Sequence, residues 1–432
     1  MTSNLAESPA QPSVDKPRLP ARVLGLIGAD QILSQSLYFA VMPVLPLLLT
    51  MKLGGEQKQF VAWAISALTL MTRGGTLFVA SLLHRLSVRG CVRIALALIA
   101  VTYAVVAVTS NPWALILALA AAGLGFSVNG TGVRSFIILA TSDTASQNRG
   151  FALIQIVANC AAALGPILGS LVLDRGLYNQ FLLGVSAVFL VAAVSAPMAA
   201  PLGLMLNRGS LRPPMGLGIL RELISEPKVR LITFAATAGS ILMGQFFSSF
   251  SLVFSSVTTS PLLRALFYAL NGALVVIIQM PVSLVVERKL RAGASVQRIL
   301  VIGVCILGAA MPFFSAKNGL LGVVLVTCGV IIFSFGETVF TPILNVAFAN
   351  ATEGRPVVEA MNMRQLTSAV GETLGVWMGL SVFTSLTGHR LGLIYWCGLV
   401  VVAALCLLTL PARSTDKYAV TAAVRLQDGH GR

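Results

Sequence analysis

Twelve stretches of this chain are almost continuously apolar, near residues 22–50, 59–83, 92–109, 113–140, 151–172, 181–206, 231–256, 263–286, 298–315, 320–348, 362–386 and 391–411. Each is long enough to cross the roughly 30 Å of bilayer hydrocarbon as a helix of about 18 or more residues. Short breaks carrying Gly, Pro, Asn or charge separate most of them, as at Leu53-Gly54-Gly55 and Ser110-Asn111-Pro112. One break is longer. Residues 207–230 hold Arg208, Arg212, Arg221, Lys228 and Arg230 together with Pro213 and Pro214, and they divide the spans six and six. The pattern predicts an all-α membrane protein: a disordered tail over 1–21, six helices over 22–206, a central loop over 207–230, six helices over 231–411 and a second tail over 412–432.

The halves resemble each other. Sliding 129–170 onto 335–376 without a gap gives nine identities in 42 positions, among them Gly130/Gly336, Arg149/Arg355, Gly165/Gly371 and Gly169/Gly375. Glycine and arginine matches are the informative ones, because they occupy backbone-contact and loop positions that apolar composition alone does not align. Two parallel six-helix repeats, forming two pseudo-symmetric bundles, account for the offset.

Composition then fixes the class. The chain is 56% hydrophobic and 10% charged, with mean hydropathy +0.87, too little polar surface for a soluble enzyme or a disordered chain. The net charge of +15 would point to nucleic acid in a soluble protein, but here the bases lie between apolar runs. With the N-terminus cytoplasmic, 22 Lys and Arg fall on the cytoplasmic side and 6 on the other, which places both termini and the central loop in the cytoplasm. Residues 1–20 have no apolar stretch, so no cleavable signal sequence is expected there. The six cysteines have no metal-ligand spacing and read as small core hydrophobes. His84, His389 and His430 sit at segment ends or in the tail, so neither a metal centre nor a His-based catalytic site is expected within the membrane. Trp63, Trp113 and Trp396, near span ends, read as interfacial anchors.

Three local motifs carry a family resemblance. Met42-Pro43-Val44-Leu45-Pro46 ends span 1; Ala80 to Arg89 links spans 2 and 3 and includes His84, Arg85 and Arg89; Gly165-Pro166-Ile167-Leu168-Gly169 lies in span 5. They resemble the proline pair, the Gly-x-Leu-x-Asp-Arg-x-Gly-Arg-Arg loop and the Gly-Pro-x-x-Gly core of the major facilitator superfamily, in its twelve-span drug/proton antiporter branch. Ala80, His84 and Ser87 depart from the loop pattern, and Leu119 stands where an Arg-x-x-x-Gly motif in span 4 would need arginine. The resemblance implies a carrier of two bundles in a bacterial cytoplasmic membrane, moving small organic molecules. From the residues themselves, Arg85 and Arg89, with Glu287 and Arg288 at the equivalent position of the second half, are latches for helix ends or simple topology determinants. Gly165, Pro166 and Gly169 make either a hinge or a close-packed seam.

Charges inside a span are costly, about 3 kcal/mol or more, and mark functional sites. Asp30, Arg73, Arg134, Glu337 and Glu372 stand out. Three acids against two bases leave one carboxylate unpaired, the group that a proton-coupled carrier requires. Asp30, Ser34 and Tyr38 share one helical face, and Gln365, Ser368 and Glu372 share another. Glu372 occupies the repeat position of Pro166. Asn271 and Gln279 in span 8 add candidates for a wet cavity. With no phosphate-binding Gly-rich loop in the sequence, the expectation is a monomeric secondary carrier without cofactor. It would be driven by the proton gradient and would export a drug, antibiotic, siderophore or other metabolite by alternating access. Uptake of a sugar, carboxylate or peptide fragment is the alternative, and a non-transporting sensor on a carrier fold is a third.

Overall fold

A computed structural model describes residues 21–54, 58–83, 86–140, 144–199, 217–315, 319–352, 357–388 and 391–410. No strand occurs among them. The first half contains α1 (Ala21–Val41), α2 (Leu45–Leu53), α3 (Lys58–Leu83), α4 (Val88–Val108), α5 (Pro112–Ala140), α6 (Thr144–Asp174) and α7 (Tyr178–Ala199). The second contains α8 (Leu217–Ser225), α9 (Pro227–Gly244), α10 (Ser249–Val257), α11 (Pro261–Arg291), α12 (Val296–Ala310), α13 (Leu320–Ala351), α14 (Val357–Gly388) and α15 (Gly392–Leu405).

Twelve spans are expected from the sequence. Ten helical segments among the described residues are long and apolar enough to cross a bilayer, and α1 with α2, bent by 52°, makes an eleventh. The remaining predicted span is α3, a 26-residue helix whose apolar run is interrupted by Thr72-Arg73-Gly74-Gly75-Thr76. The bend between α1 and α2 falls at Met42-Pro43-Val44, where Pro43 removes a donor and Pro46 restarts the next helix. A second break, between α9 and α10, was not expected from the sequence. The central loop also needs correction, since α8 and the start of α9 lie within 207–230. In α8 Leu223 is buried while Arg221 and Glu222 are exposed, so this short amphipathic helix packs on α9.

The repeat is visible in the packing. In the first half α3 packs on α5, α4 on α5 and α7, and α1 on α6; in the second α11 packs on α13, α12 on α13 and α15, and α9 on α14. The sequence glycines explain one of these pairs in each half. A Cβ at Gly165 would lie 2.7 Å from the Phe39 carbonyl carbon, and one at Gly169 would overlap the Ala40 oxygen. At the repeat positions, Gly371 meets Thr237 and Ser240, and Gly375 meets the Ile241 carbonyl. Only a residue without a side chain allows backbones this close. The Gly-Pro-x-x-Gly segment thus packs closely on α1, and α6 continues as helix through Pro166.

Between the halves, α3 packs along α14 and α6 along α11, with a smaller contact of α2 on α10. The repeat interchanges the two long seams, because α3 corresponds to α11 and α6 to α14. Each half has an apolar core, the first also taking in Val376 and Leu380 of α14. Trp396 belongs to one of them: it is fully buried against Phe250, Phe314, Phe383 and Tyr395, contrary to the interfacial role expected for it. Trp63 and Trp113 are exposed and pack edge-on against Phe60. Among the cysteines Cys91 and Cys406 are buried, whereas Cys160 and Cys397 are exposed, so the expectation of six buried thiols fails for these two.

Candidate functional site

The α3–α14 seam carries the charges. Arg73, near the middle of α3, donates from Nε to Glu372 Oε2 at 2.7 Å. Two turns earlier on α14, Gln365 Nε2 donates to the Arg73 carbonyl at 2.6 Å and to Thr76 Oγ1 at 3.3 Å. The halves are thus clasped twice over a short length, by an ion pair and by an amide. The Arg73 side chain is 51% exposed and that of Glu372 17%. Arg73 feels charges or hydroxyls on three other helices, Tyr38 on α1, Glu337 on α13 and Arg134 on α5, as well as Glu372. A side chain so surrounded is open to the space between the bundles, not to lipid.

Among the described residues Glu337 forms no salt bridge with an arginine. Its Oε2 accepts from Asn271 Nδ2 at 3.0 Å, and the same amide nitrogen donates to Ser334 Oγ at 3.0 Å. Asn271 is buried, so α11 presents one amide that holds both polar groups of α13. Gln279, two turns further along α11, donates to the Thr338 carbonyl at 3.4 Å and to Ser283 Oγ at 3.2 Å, beside this pair. Tyr38 packs edge-on against Phe126, and Ser34 is buried, with its hydroxyl directed at the Gln31 carbonyl at 3.5 Å. The structure therefore brings Tyr38, Arg73, Arg134, Asn271, Glu337 and Glu372 into one neighbourhood. Asp30 lies on α1, and its side chain is outside the described residues, as is Arg85. Arg89 lies in the first turn of α4, and Glu287 and Arg288 are exposed near the end of α11.

Sequence reading missed three features. Arg364 sits on α14 within electrostatic reach of Arg73, Arg134 and Glu372; it lies inside the predicted span 362–386, where the sequence reading counts it with the cytoplasmic bases and not with the intramembrane charges. The count of three acids against two bases is corrected accordingly, since a third base joins the cluster. The signal was present, because Arg364, Ser368 and Glu372 recur at i, i+4, i+8. The second feature is the break between α9 and α10. Gln245 is fully buried there; its amide donates to the Gly375 carbonyl at 2.9 Å, and its Oε1 accepts from Ser249 at 2.7 Å and Tyr395 at 2.6 Å. The third is Lys52, whose ammonium reaches the carbonyls of Val106 and Ala107 near the end of α4. The regularly spaced hydroxyls of span 7 serve packing: Ser248 and Ser251 are buried and donate to carbonyls of their own segment.

Two turns beyond Glu372 along α14 a cavity of about 430 Å³ opens between the halves. Pro46, Thr50 and Val61 line it from one side, and Leu252, Ser256, Leu380, Phe383, Thr384 and Thr387 from the other. Its threonine hydroxyls donate to their own helices, leaving an uncharged, largely apolar wall. No group of three His, Cys, Asp or Glu able to hold a metal occurs among the described residues.

The model of the Major Facilitator Superfamily matches residues 31–356. The chain belongs to that superfamily. Among curated relatives of this superfamily chain, multidrug resistance protein MdtH of Yersinia enterocolitica is 22% identical over 359 residues, 82% of this chain and 86% of that protein. MdtH of Photorhabdus laumondii subsp. laumondii is 22% identical over 366 residues, 84% and 87%. Among solved structures, the nucleoside transporter NupG superposes with TM-score 0.72 at 14% identity, over 90% of this chain and all of that one. A POT family transporter in complex with 5-aminolevulinic acid gives 0.71 at 14%, over 90% and 96%. At this identity the structures establish the fold. The chain is a multi-pass membrane transporter of the major facilitator type.

Proposed function

We propose that this transporter is a proton-coupled antiporter that exports small organic molecules across a bacterial cytoplasmic membrane, with both termini on the cytoplasmic side. The Arg73–Glu372 ion pair carries the reading. It joins the two halves at midspan, along one of only two long seams between them among the described residues, where a change in protonation acts directly on the contact that must open. Protonation of Glu372 removes the charge that holds Arg73, so the clasp loosens and the α3–α14 seam parts. Deprotonation restores the clasp, and the α6–α11 seam opens in the opposite phase. Glu337, within reach of the same arginine, is the second carboxylate of the relay. The Arg73–Glu372 pair and both seams form within one copy, which supports a monomeric carrier; the driving force proposed is the proton gradient, with no cofactor.

Export of organic compounds is supported by the MdtH relatives and by the uncharged cavity between the halves. The 22-to-6 distribution of basic residues supports the orientation. Everted membrane vesicles test the proposal. With an acidic interior, they should accumulate an apolar dye in a manner dependent on the protein and abolished by a protonophore. Uptake by intact cells, without accumulation in vesicles, would establish an importer instead.

A further inference from the structure

The cavity between the halves has a wall with no proton to give. Its polar side chains are four hydroxyls, Thr50 of α2 on one side and Ser256 of α10 with Thr384 and Thr387 of α14 on the other. A hydroxyl carries a single proton and two acceptor lone pairs. Each of these four spends the proton on its own helix. Thr50 donates to the Pro46 carbonyl at 2.8 Å, Ser256 to Val253 at 2.8 Å, Thr384 to Leu380 at 2.7 Å and Thr387 to Phe383 at 2.9 Å. The main-chain N–H groups of the lining residues are spent as well. Every lining residue that has one stands at the fourth position of its helix or later, where the N–H bonds one turn back. What is left at the wall is hydroxyl oxygen among aliphatic side chains and the Phe383 ring.

None of the nine residues that line the cavity is charged. Glu372 lies eight residues before Leu380 on α14, about 12 Å along the helix, and it engages Arg73 there. Lys52, the one base of α2, turns its ammonium to the Val106 and Ala107 carbonyls of α4. An anion entering the cavity would exchange its hydration for lone pairs that repel it, and a cation would find no counter-charge to offset its desolvation. A neutral molecule that only accepts hydrogen bonds leaves its own oxygen and those of the wall unpaired. A neutral molecule with an O–H or N–H group satisfies both, while its apolar body fills the rest of the space. At about 430 Å³ the cavity falls in the size range of small-molecule sites. We propose that it is a substrate site for uncharged, largely apolar compounds bearing a hydroxyl or N–H donor, which the oxygens of Thr50, Ser256, Thr384 and Thr387 accept. The inference rests on the transporter reading above and names its substrate class, from which carboxylates are excluded.

Equilibrium binding to the purified full-length protein in detergent at neutral pH tests the site with four probes of similar shape. These are 1-(2-naphthyl)ethanol, which donates; 2-acetonaphthone, which only accepts; the anion 2-naphthoate; and the cation 2-naphthylmethylammonium. The alcohol should bind at least about threefold more tightly than the ketone, and about tenfold or more above either ion. Thr50→Val, Ser256→Ala, Thr384→Val and Thr387→Val together remove the acceptors with little change of shape. In that combined variant the alcohol should lose its advantage while the ketone binds as before. Leu252→Trp, which fills the cavity, should weaken both neutral probes alike. Melting of the ligand-free variants reports folding; where the combined variant does not fold, Thr384→Val with Thr387→Val decides by the same alcohol-to-ketone ratio. The site is overturned if the wild type binds the neutral probes no better than Leu252→Trp does, if alcohol and ketone bind alike, if either ion binds as tightly as the alcohol, or if the folded valine variant keeps the wild-type ratio. Binding requires no gradient and no turnover, so a failure here leaves proton-driven export to stand or fall in vesicles.

Discussion

The two long seams between the halves occupy equivalent positions in the repeat, yet they are built from opposite chemistry. Along α6–α11 the backbones meet through small residues: a Cβ at Gly272 would lie 3.0 Å from the Ala163 nitrogen. Along α3–α14 an ion pair and a glutamine amide cross the gap. The same contrast recurs at a single repeat position, where the first half has Pro166 and the second has Glu372, both flanked by glycines that press their helix onto a neighbour. The duplicated fold supplies the close packing twice. Among the described residues a salt bridge crosses only the α3–α14 seam.

The largest effect should come from filling the apolar seam. Gly272→Leu overpacks it by a whole side chain, at a cost of about 1–3 kcal/mol or more. The yield of monodisperse protein on size exclusion should fall sharply, whatever the pH. Reversing one charge of the polar seam comes next. Arg73→Glu sets two carboxylates face to face and should lower transport by about tenfold or more, with the helical circular dichroism retained. Exchanging the pair, Arg73→Glu with Glu372→Arg, should return a substantial part of the rate. Failure of the exchange, with both chains folded, would show that the seam needs each group in its own place and not merely a clasp. Smallest is the stability of the clasp itself. Because Arg73 is half exposed, a double-mutant cycle on thermal unfolding with Arg73→Gln and Glu372→Gln should give a coupling of only about 0.2–1 kcal/mol. A coupling several times larger would mean a dry, structural bridge, poorly suited to opening in each cycle.

Helices, repeat and family were legible because long apolar runs leave few alternatives, and because aligned glycines record where backbones touch. Arg73, Glu337 and Glu372 were legible for the converse reason, that a charge within such a run needs a local partner to be tolerated. What escaped has physical causes. Arg364 lies near the start of the predicted span 362–386, where a base reads as a cytoplasmic flanking charge, and only the tertiary fold sets it beside the Arg73–Glu372 pair. The break after Gly244 contains no proline; it is held by Gln245, whose partners Gly375 and Tyr395 are more than a hundred residues away. Trp396 sits near a span end, which by itself reads as an interface, but Phe250 and Phe314 close over it. Partners distant in sequence decided each of these cases.

The central claim is that Glu372 couples the proton to the opening of the α3–α14 seam. Reconstituted wild type and Glu372→Gln, compared in proteoliposomes loaded with the same organic probe, test it most directly. The wild type should accumulate probe against its gradient when a proton gradient is imposed, and should also exchange probe without one. The variant should keep exchange at a comparable rate and lose gradient-driven accumulation. Accumulation by Glu372→Gln equal to that of the wild type would contradict the assignment.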